Sequence, residues 1–245
     1  DEIFQNQKIR QAFSLSVDRE SYSEILQNGL TTPAYGLIPE ESSVGQLHYR
    51  DYAPEPLLAL QEANPDPKAL LIEGMQELGL GDDPSALTVT LSMGGTNAKT
   101  KSIGEFYQQM WQSALGVVIE LEFNDSATHM SNMNSGNFQM GLTSWGANVE
   151  PLFQLSRWSS ESGGQSKWVN EEYQQLVNEA SSTVDDQARL ELYAQAEEML
   201  ITEAAIAPIC YNGSLLFSYP YVHGLDNNPF DTVGMQKLYT IGRNQ

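Results

Sequence analysis

Residues 87–145 read in succession as strand, turn, helix, stop, strand, helix and strand, and that order confines the chain to an α/β architecture. Residues 87–93 (LTVTLSM) alternate with period two, as a half-buried strand does. Gly94, Gly95, Thr96 and Asn97 then turn the chain. Over 98–115, Ile103, Phe106, Tyr107, Met110 and Trp111 gather on one side of a helix, which Gly116 stops. Residues 117–123 (VVIELEF) form the second strand, 126–134 a short helix, and 138–145 a third strand ending at Trp145. Helices at 170–182 and 185–203 follow, the latter with Leu190, Tyr193, Ala194, Ala196 and Leu200 on one face.

The flanks are less regular. Residues 7–15 carry a helical pattern, and Asp18 is a good N-cap for a second helix that ends at Gly29. Pro33, Pro39, Pro54 and Pro56 break up residues 30–56, leaving a long connection with one expected strand at 34–38. Asp66 and Pro67 open a further helix running to Gly79. Residues 206–211 and 215–219 read as a hairpin across Asn212 and Gly213, with Pro208 implying an edge or bulge. After Pro220 the texture changes, and only 237–241 reads as a strand. The expected division is a body over residues 1–220 and a departing segment over 221–245.

Charge and cysteine content remove several functions. Against 12 basic residues stand 32 acidic ones, a formal charge of −20, which repels nucleic acid and acidic lipid alike. No stretch approaches the ~18 apolar residues that a membrane-spanning helix needs. With one cysteine, Cys210 within an apolar run, an internal disulfide is excluded. The opening Asp1-Glu2-Ile3-Phe4 has neither basic leader nor apolar core, so the sequence reads as either a cytoplasmic protein or a processed or truncated piece.

No catalytic constellation emerges. His48, His129 and His223 are far apart, without metal-ligand spacing, and surface or loop positions are expected for all three. There is no GxSxG nucleophile elbow, and the Gly94–Gly95 turn lacks the lysine spacing of a phosphate loop. Neither a cofactor nor a metal is expected, and the chain reads as a binding protein and not an enzyme. The more informative stretch is 137–148, an apolar strand that ends in Trp145-Gly146 and continues into Ala147-Asn148. In open α/β sheets ligands bind at the carboxyl ends of strands, which is where this places Trp145.

Several motifs together resemble the extracytoplasmic oligopeptide-binding proteins of ABC importers. The stretch Arg10-Gln11-Ala12-Phe13-Ser14-Leu15-Ser16-Val17-Asp18-Arg19-Glu20 is similar to their "VRQALSYAIDRE" run, and Pro33-Ala34-Tyr35-Gly36-Leu37-Ile38-Pro39 to their "PAYGLIP". The likeness continues through 136–140 and 144–148, then through 193–200, 205–209 and 228–231, in one order and with similar spacing.

This resemblance implies a type II-like periplasmic-binding-protein fold of two lobes, each a mixed sheet flanked by helices, with the present stretch in the later lobe. It implies that 221–245 returns towards a first lobe that would precede residue 1. The absent leader then reads as a truncation of a periplasmic protein or cell-surface lipoprotein. The implied partners are an oligopeptide or other small solute, the permease, and the first lobe. The same scaffold also carries metal chelates, oligosaccharides, haem or signalling peptides in relatives. By resemblance the ligand-binding residues are Trp145, Gly146, Ala147 and Asn148, with Thr96, Asn97 and Thr100 at the first turn and Tyr211 and Asn212 after Pro208. In many oligopeptide binders an aspartate on the Trp-Gly loop pairs with the ligand's α-amino group. Here Asn148 falls there, in a loop about one residue shorter. An amide accepts a hydrogen bond but offers no charge pairing, so recognition of free amino termini is expected to be weaker, with Glu150 the alternative carboxylate.

Overall fold

Burial of one helix face against a parallel sheet organises the first half of the chain. In the computed structural model the described residues are 2–159, 165–213, 217, 219–223, 230 and 239–240. A 3₁₀ turn precedes α1 (Gln7–Leu15), and α2 (Arg19–Ser21) runs into a π-helical turn, Tyr22–Leu26. Short elements follow: β1 (Thr31–Pro33), β2 (Ser43–Val44), β3 (Leu47–His48) and α3 (Tyr49–Tyr52). Helices α4 (Pro56–Ala63) and α5 (Pro67–Glu77) each begin on a proline, whose missing N–H costs nothing in the first turn.

The central unit is β4 (Thr88–Gly94), α6 (Ala98–Leu115), β5 (Val118–Asn124), α7 (Ser126–Ser135) and β6 (Met140–Gly141). After α8 (Leu152–Leu155) come α9 (Glu171–Ser182) and α10 (Asp186–Thr202), then β7 (Cys210–Asn212), β8 (Val222–His223) and β9 (Tyr239–Thr240).

Local chemistry sets these boundaries. The side chains of Asn97, Asp125, Asn170 and Asp185 accept from backbone N–H groups in the first turns of α6, α7, α9 and α10. Gly116 ends α6 in the left-handed region at φ +80°, a conformation in which a Cβ would be strained.

Strands β5, β4 and β6 form a parallel sheet in that order, with β4 central. Against it lies one apolar core, including Ile9, Phe13, Leu71, Met75, Val89, Leu91, Tyr107, Trp111, Leu115 and Ile119. A second core joins α9 and α10 to residues 38–53 and 155–158, with Tyr49, Trp158, Tyr173, Tyr193 and Leu200 inside it. Leu37 and Ile206 pack against both cores.

The joint between the cores is polar. Glu197 of α10, with no exposed surface, accepts from the backbone N–H groups of Leu37 (2.7 Å) and Ile38 (2.8 Å) and from the Tyr49 hydroxyl (2.9 Å). Arg50 donates to both of its oxygens, at 2.8 and 2.7 Å. Burial works against the Arg50 charge, but the Glu197 carboxylate outweighs it and holds the guanidinium more firmly protonated than usual.

The structure corrects four expectations. Residues 34–38 are not a strand; β1 stops at Pro33, because Glu197 takes the Leu37 and Ile38 N–H groups that a sheet partner would need. Within the connection placed at 30–56, residues 49–52 form α3, and Pro56 at its end begins α4. The strand expected over 138–145 is only β6, since beyond Gly141 a single bond from Leu142 N to Ser92 O (3.4 Å) holds the chain before it leaves the sheet. His129 is neither at the surface nor in a loop: it lies on α7, 5% exposed.

Of the expected hairpin, β7 pairs antiparallel with β1, Thr31 opposite Asn212 and Pro33 opposite Cys210. Its second arm, 215–219, lies largely outside the described residues, as does most of 221–245. Pro208 sits ahead of β7, its carbonyl accepting from Arg19 Nε at 2.8 Å.

Candidate functional site

The parallel sheet points its carboxyl ends to one side, where β4 delivers Gly94–Asn97, β5 delivers Asn124–Asp125, and β6 delivers the loop 142–148. From β4 the chain crosses to β5 on one side and returns to β6 on the other. The crevice between the ends of β4 and β6 is therefore a topological switch point, where open α/β sheets bind ligands.

His129 fastens this crevice. Its Nε2 lies 3.0 Å from the Leu142 carbonyl and its Nδ1 3.2 Å from Ser92 Oγ. A carbonyl only accepts, so Nε2 donates to Leu142, leaving Nδ1 to pair with the Ser92 hydroxyl. The imidazole packs against Gly94, where an added Cβ would stand 2.8 Å from its Cδ2. Gly94→Ala should push the ring off both partners, lowering stability by about 1–3 kcal/mol. The same variant should accelerate amide exchange at Leu142, whose N–H bonds Ser92; unchanged exchange there would refute this role for His129.

The loop itself divides into a held half and a free half. Gln154 Nε2 donates to the Asn148 carbonyl (2.9 Å), and Ser43 N–H donates to the Val149 carbonyl (3.0 Å). Glu150 Oε1 accepts from the Tyr193 hydroxyl at 2.9 Å and lies 3.2 Å from Arg189 Nε. Residues 143–147, by contrast, form no backbone hydrogen bond among the described residues. Trp145 is 44% exposed, and Gly146 has open space where a Cβ would be. The side chains holding this half are Ser144, whose Oγ accepts from Asn212 Nδ2 at 3.0 Å, and Arg157, which stacks on Trp145.

The expected site residues fall into three groups. Trp145, Gly146, Ala147 and Asn148 lie exposed on the β6 loop, and Asn212 is bonded to that loop. Thr96, Asn97 and Thr100 sit after β4, at the neighbouring strand end, where Asn97 Oδ1 accepts from Thr100 N at 3.0 Å as the helix cap. Tyr211 turns inward: its hydroxyl lies 2.9 Å from both Gly36 O and Ile38 O and accepts from Arg50, and burial raises its pKa. Glu150 is engaged by Tyr193 and Arg189, and Trp158 belongs to the second core. Sequence reasoning missed Gln154, His129 and Arg157. For Arg157 a signal was present, because Phe153 four residues earlier places an aromatic and a guanidinium on one helical face.

The sheet thus ends at a switch point beside exposed main chain, the place where open α/β sheets bind ligands. Residues 1–166 match the bacterial extracellular solute-binding proteins, family 5 Middle, and the chain belongs to that family. The dipeptide-binding protein DppE of Bacillus subtilis is 28% identical over 96% of this chain and 42% of its own length. The periplasmic murein peptide-binding protein MppA of Escherichia coli is 29% identical over 96% of this chain and 43% of its own length. The solved structure of that murein tripeptide binding protein superposes with a TM-score of 0.75 at 27% identity, covering 98% of this chain and 46% of the other. Burkholderia pseudomallei OppA gives 0.78 at 24% identity, over 98% and 47%. The chain thus spans less than half the length of these relatives and shares the architecture of one part of a two-lobed fold.

Proposed function

We propose that this chain forms a ligand-gripping wall of an extracytoplasmic oligopeptide-binding protein that captures peptides and passes them to an ABC permease. The observation that carries this reading is the backbone of residues 143–147 at the switch point, which makes no hydrogen bond among the described residues and is held at both ends. An extended peptide can pair its own main chain with such a segment whatever its side chains are. In the full protein a first lobe would close over the ligand about a hinge, closure being favoured by contacts that exist only when both lobes touch it. Residues 1–220 would then be the gripping lobe and 221–245 the return segment. The binding role needs no cofactor and no reaction. The protein would work in the periplasm or as a cell-surface lipoprotein.

Native mass spectrometry of the protein purified from its own host tests the reading: co-purified masses should resolve into short peptides. A bound species of any other chemical class would displace it.

Asn148 supplies a finer expectation. Its Oδ1 already accepts from the Val149 N–H at 2.7 Å, so it offers an ammonium group a single remaining lone pair and no charge. Asn148→Asp should tighten binding of free-amino peptides by about tenfold over their N-acetylated forms. Equal tightening of both forms in calorimetry would remove this residue from amine recognition.

A further inference from the structure

Arg157 stands apart from the other described arginines. Arg10, Arg19, Arg50 and Arg189 each donate hydrogen bonds to carbonyl or carboxylate oxygens. Arg157 donates none to any described residue, and its Nε–H is buried without an acceptor. Its guanidinium carbon lies instead 4.4 Å from the Trp145 ring centre and 4.8 Å from that of Phe153. The cation therefore lies over two aromatic rings, which hold it without neutralising its charge. Both rings are themselves surface groups, 44% and 42% exposed, so the stack opens to solvent beside the free half of the loop.

The nearby charges point the same way. Residues 143–149 contain no carboxylate. Glu150, the next in sequence, is held by Arg189 and Tyr193. Among the described residues, the loop at the sheet's carboxyl end thus lies beside a cation that has no carboxylate partner. Such a field repels an ammonium group and attracts a carboxylate. A planar donor fork held in place also loses little freedom when it binds one.

We propose that Arg157, held against Trp145 and Phe153, reads a carboxylate of the bound peptide and makes this site prefer an anionic group near the Trp145 loop. The proposal rests on the peptide-binding reading and deepens it. The carboxylate has two sources, an acidic side chain or the peptide's own C-terminus, and both present the same two-oxygen acceptor.

The test is calorimetry on the complete protein, first lobe included, with four tripeptides: Ala-Glu-Ala, Ala-Gln-Ala, and the C-terminal amide of each. One of the two carboxylates should strengthen binding by about tenfold over its amide isostere, and the pair that differs identifies the source. Arg157→Gln should erase that difference, read as the affinity ratio of each carboxylate to its amide, so that any loosening of the loop common to all four peptides cancels. Arg157→Lys, which keeps the charge but loses the planar stack, should retain part of it. If Arg157→Gln leaves the carboxylate preference intact, Arg157 does not read the ligand, and peptide binding itself stands. If it weakens all four peptides equally, the residue merely supports the loop and the proposal falls. If the unaltered chain binds none of the four, the peptide reading fails and the proposal with it.

Discussion

Replacing Glu197 by leucine should lower the unfolding free energy by about 3–5 kcal/mol, the cost of stranding a buried charge. The substitution removes the carboxylate that faces Arg50 at 2.7 Å, and it leaves the Leu37 and Ile38 N–H groups and the Tyr49 hydroxyl without their acceptor. Against a typical total of about 5–15 kcal/mol, such a loss brings a domain near its unfolding threshold. Desolvating the native pair is itself costly, so adding Arg50→Met in the same chain should restore part of the stability. Urea titration of the two single variants and the double variant gives the coupling. A double variant no more stable than Glu197→Leu alone would show that packing, and not the stranded charge, carries the effect. The consequence reaches the site, because Arg50 also contacts the Tyr211 hydroxyl (3.5 Å) and Tyr211 adjoins Asn212, which bonds the ligand loop through Ser144.

Arg19→Met should cost about 3 kcal/mol by another route. Arg19 is 1% exposed and, among the described residues, has no carboxylate within ion-pairing distance. It donates instead to four carbonyls: Ser14 (3.1 Å), Val17 (3.0 Å), Ala34 (3.0 Å) and Pro208 (2.8 Å). Burial lowers its pKa to about 10, so the buried charge carries a desolvation penalty that methionine would relieve. Against that relief stand three fully buried hydrogen bonds, those to Ser14, Val17 and Ala34. Each acceptor left unpaired costs about 1–3 kcal/mol, so the loss outweighs the gain. The variant also unties Ala34 from Pro208, the two chain segments that flank the β1–β7 pair, so amide protection in β7 should fall further than in β4. A chain as stable as the native one would show that water replaces these bonds without loss.

The elements read most accurately from sequence are those whose boundaries are set within a few residues. Asn97 caps α6 and Gly116 ends it because both effects act inside one turn, and so the helix falls at 98–115 as expected. The same holds for α7 after Asp125 and for α10 after Asp185. The failures sit where distant residues claim backbone groups. Residues 34–38 look like a strand, but Glu197, some 160 positions later, takes two of their N–H groups. The third strand looks long, but Leu142 gives its carbonyl to His129 and the chain departs from the sheet. A lone histidine carries no spacing pattern that would reveal its role, and for Arg157 the i, i+4 spacing from Phe153 shows one ring but not Trp145, twelve residues earlier.

By itself the sequence determines the α/β order, the carboxyl-end position of Trp145, and a charge of −20 that disfavours a polyanion partner. Local caps, stops and hydrophobic periodicity are short-range effects and are written residue by residue. The tertiary structure alone decides which half of the 142–148 loop is held, that the Tyr211 hydroxyl turns inward, and that Arg157 lies over the Trp145 ring. Those outcomes follow from contacts between residues far apart along the chain, whose energies exist only once two cores have packed and brought them within hydrogen-bonding distance.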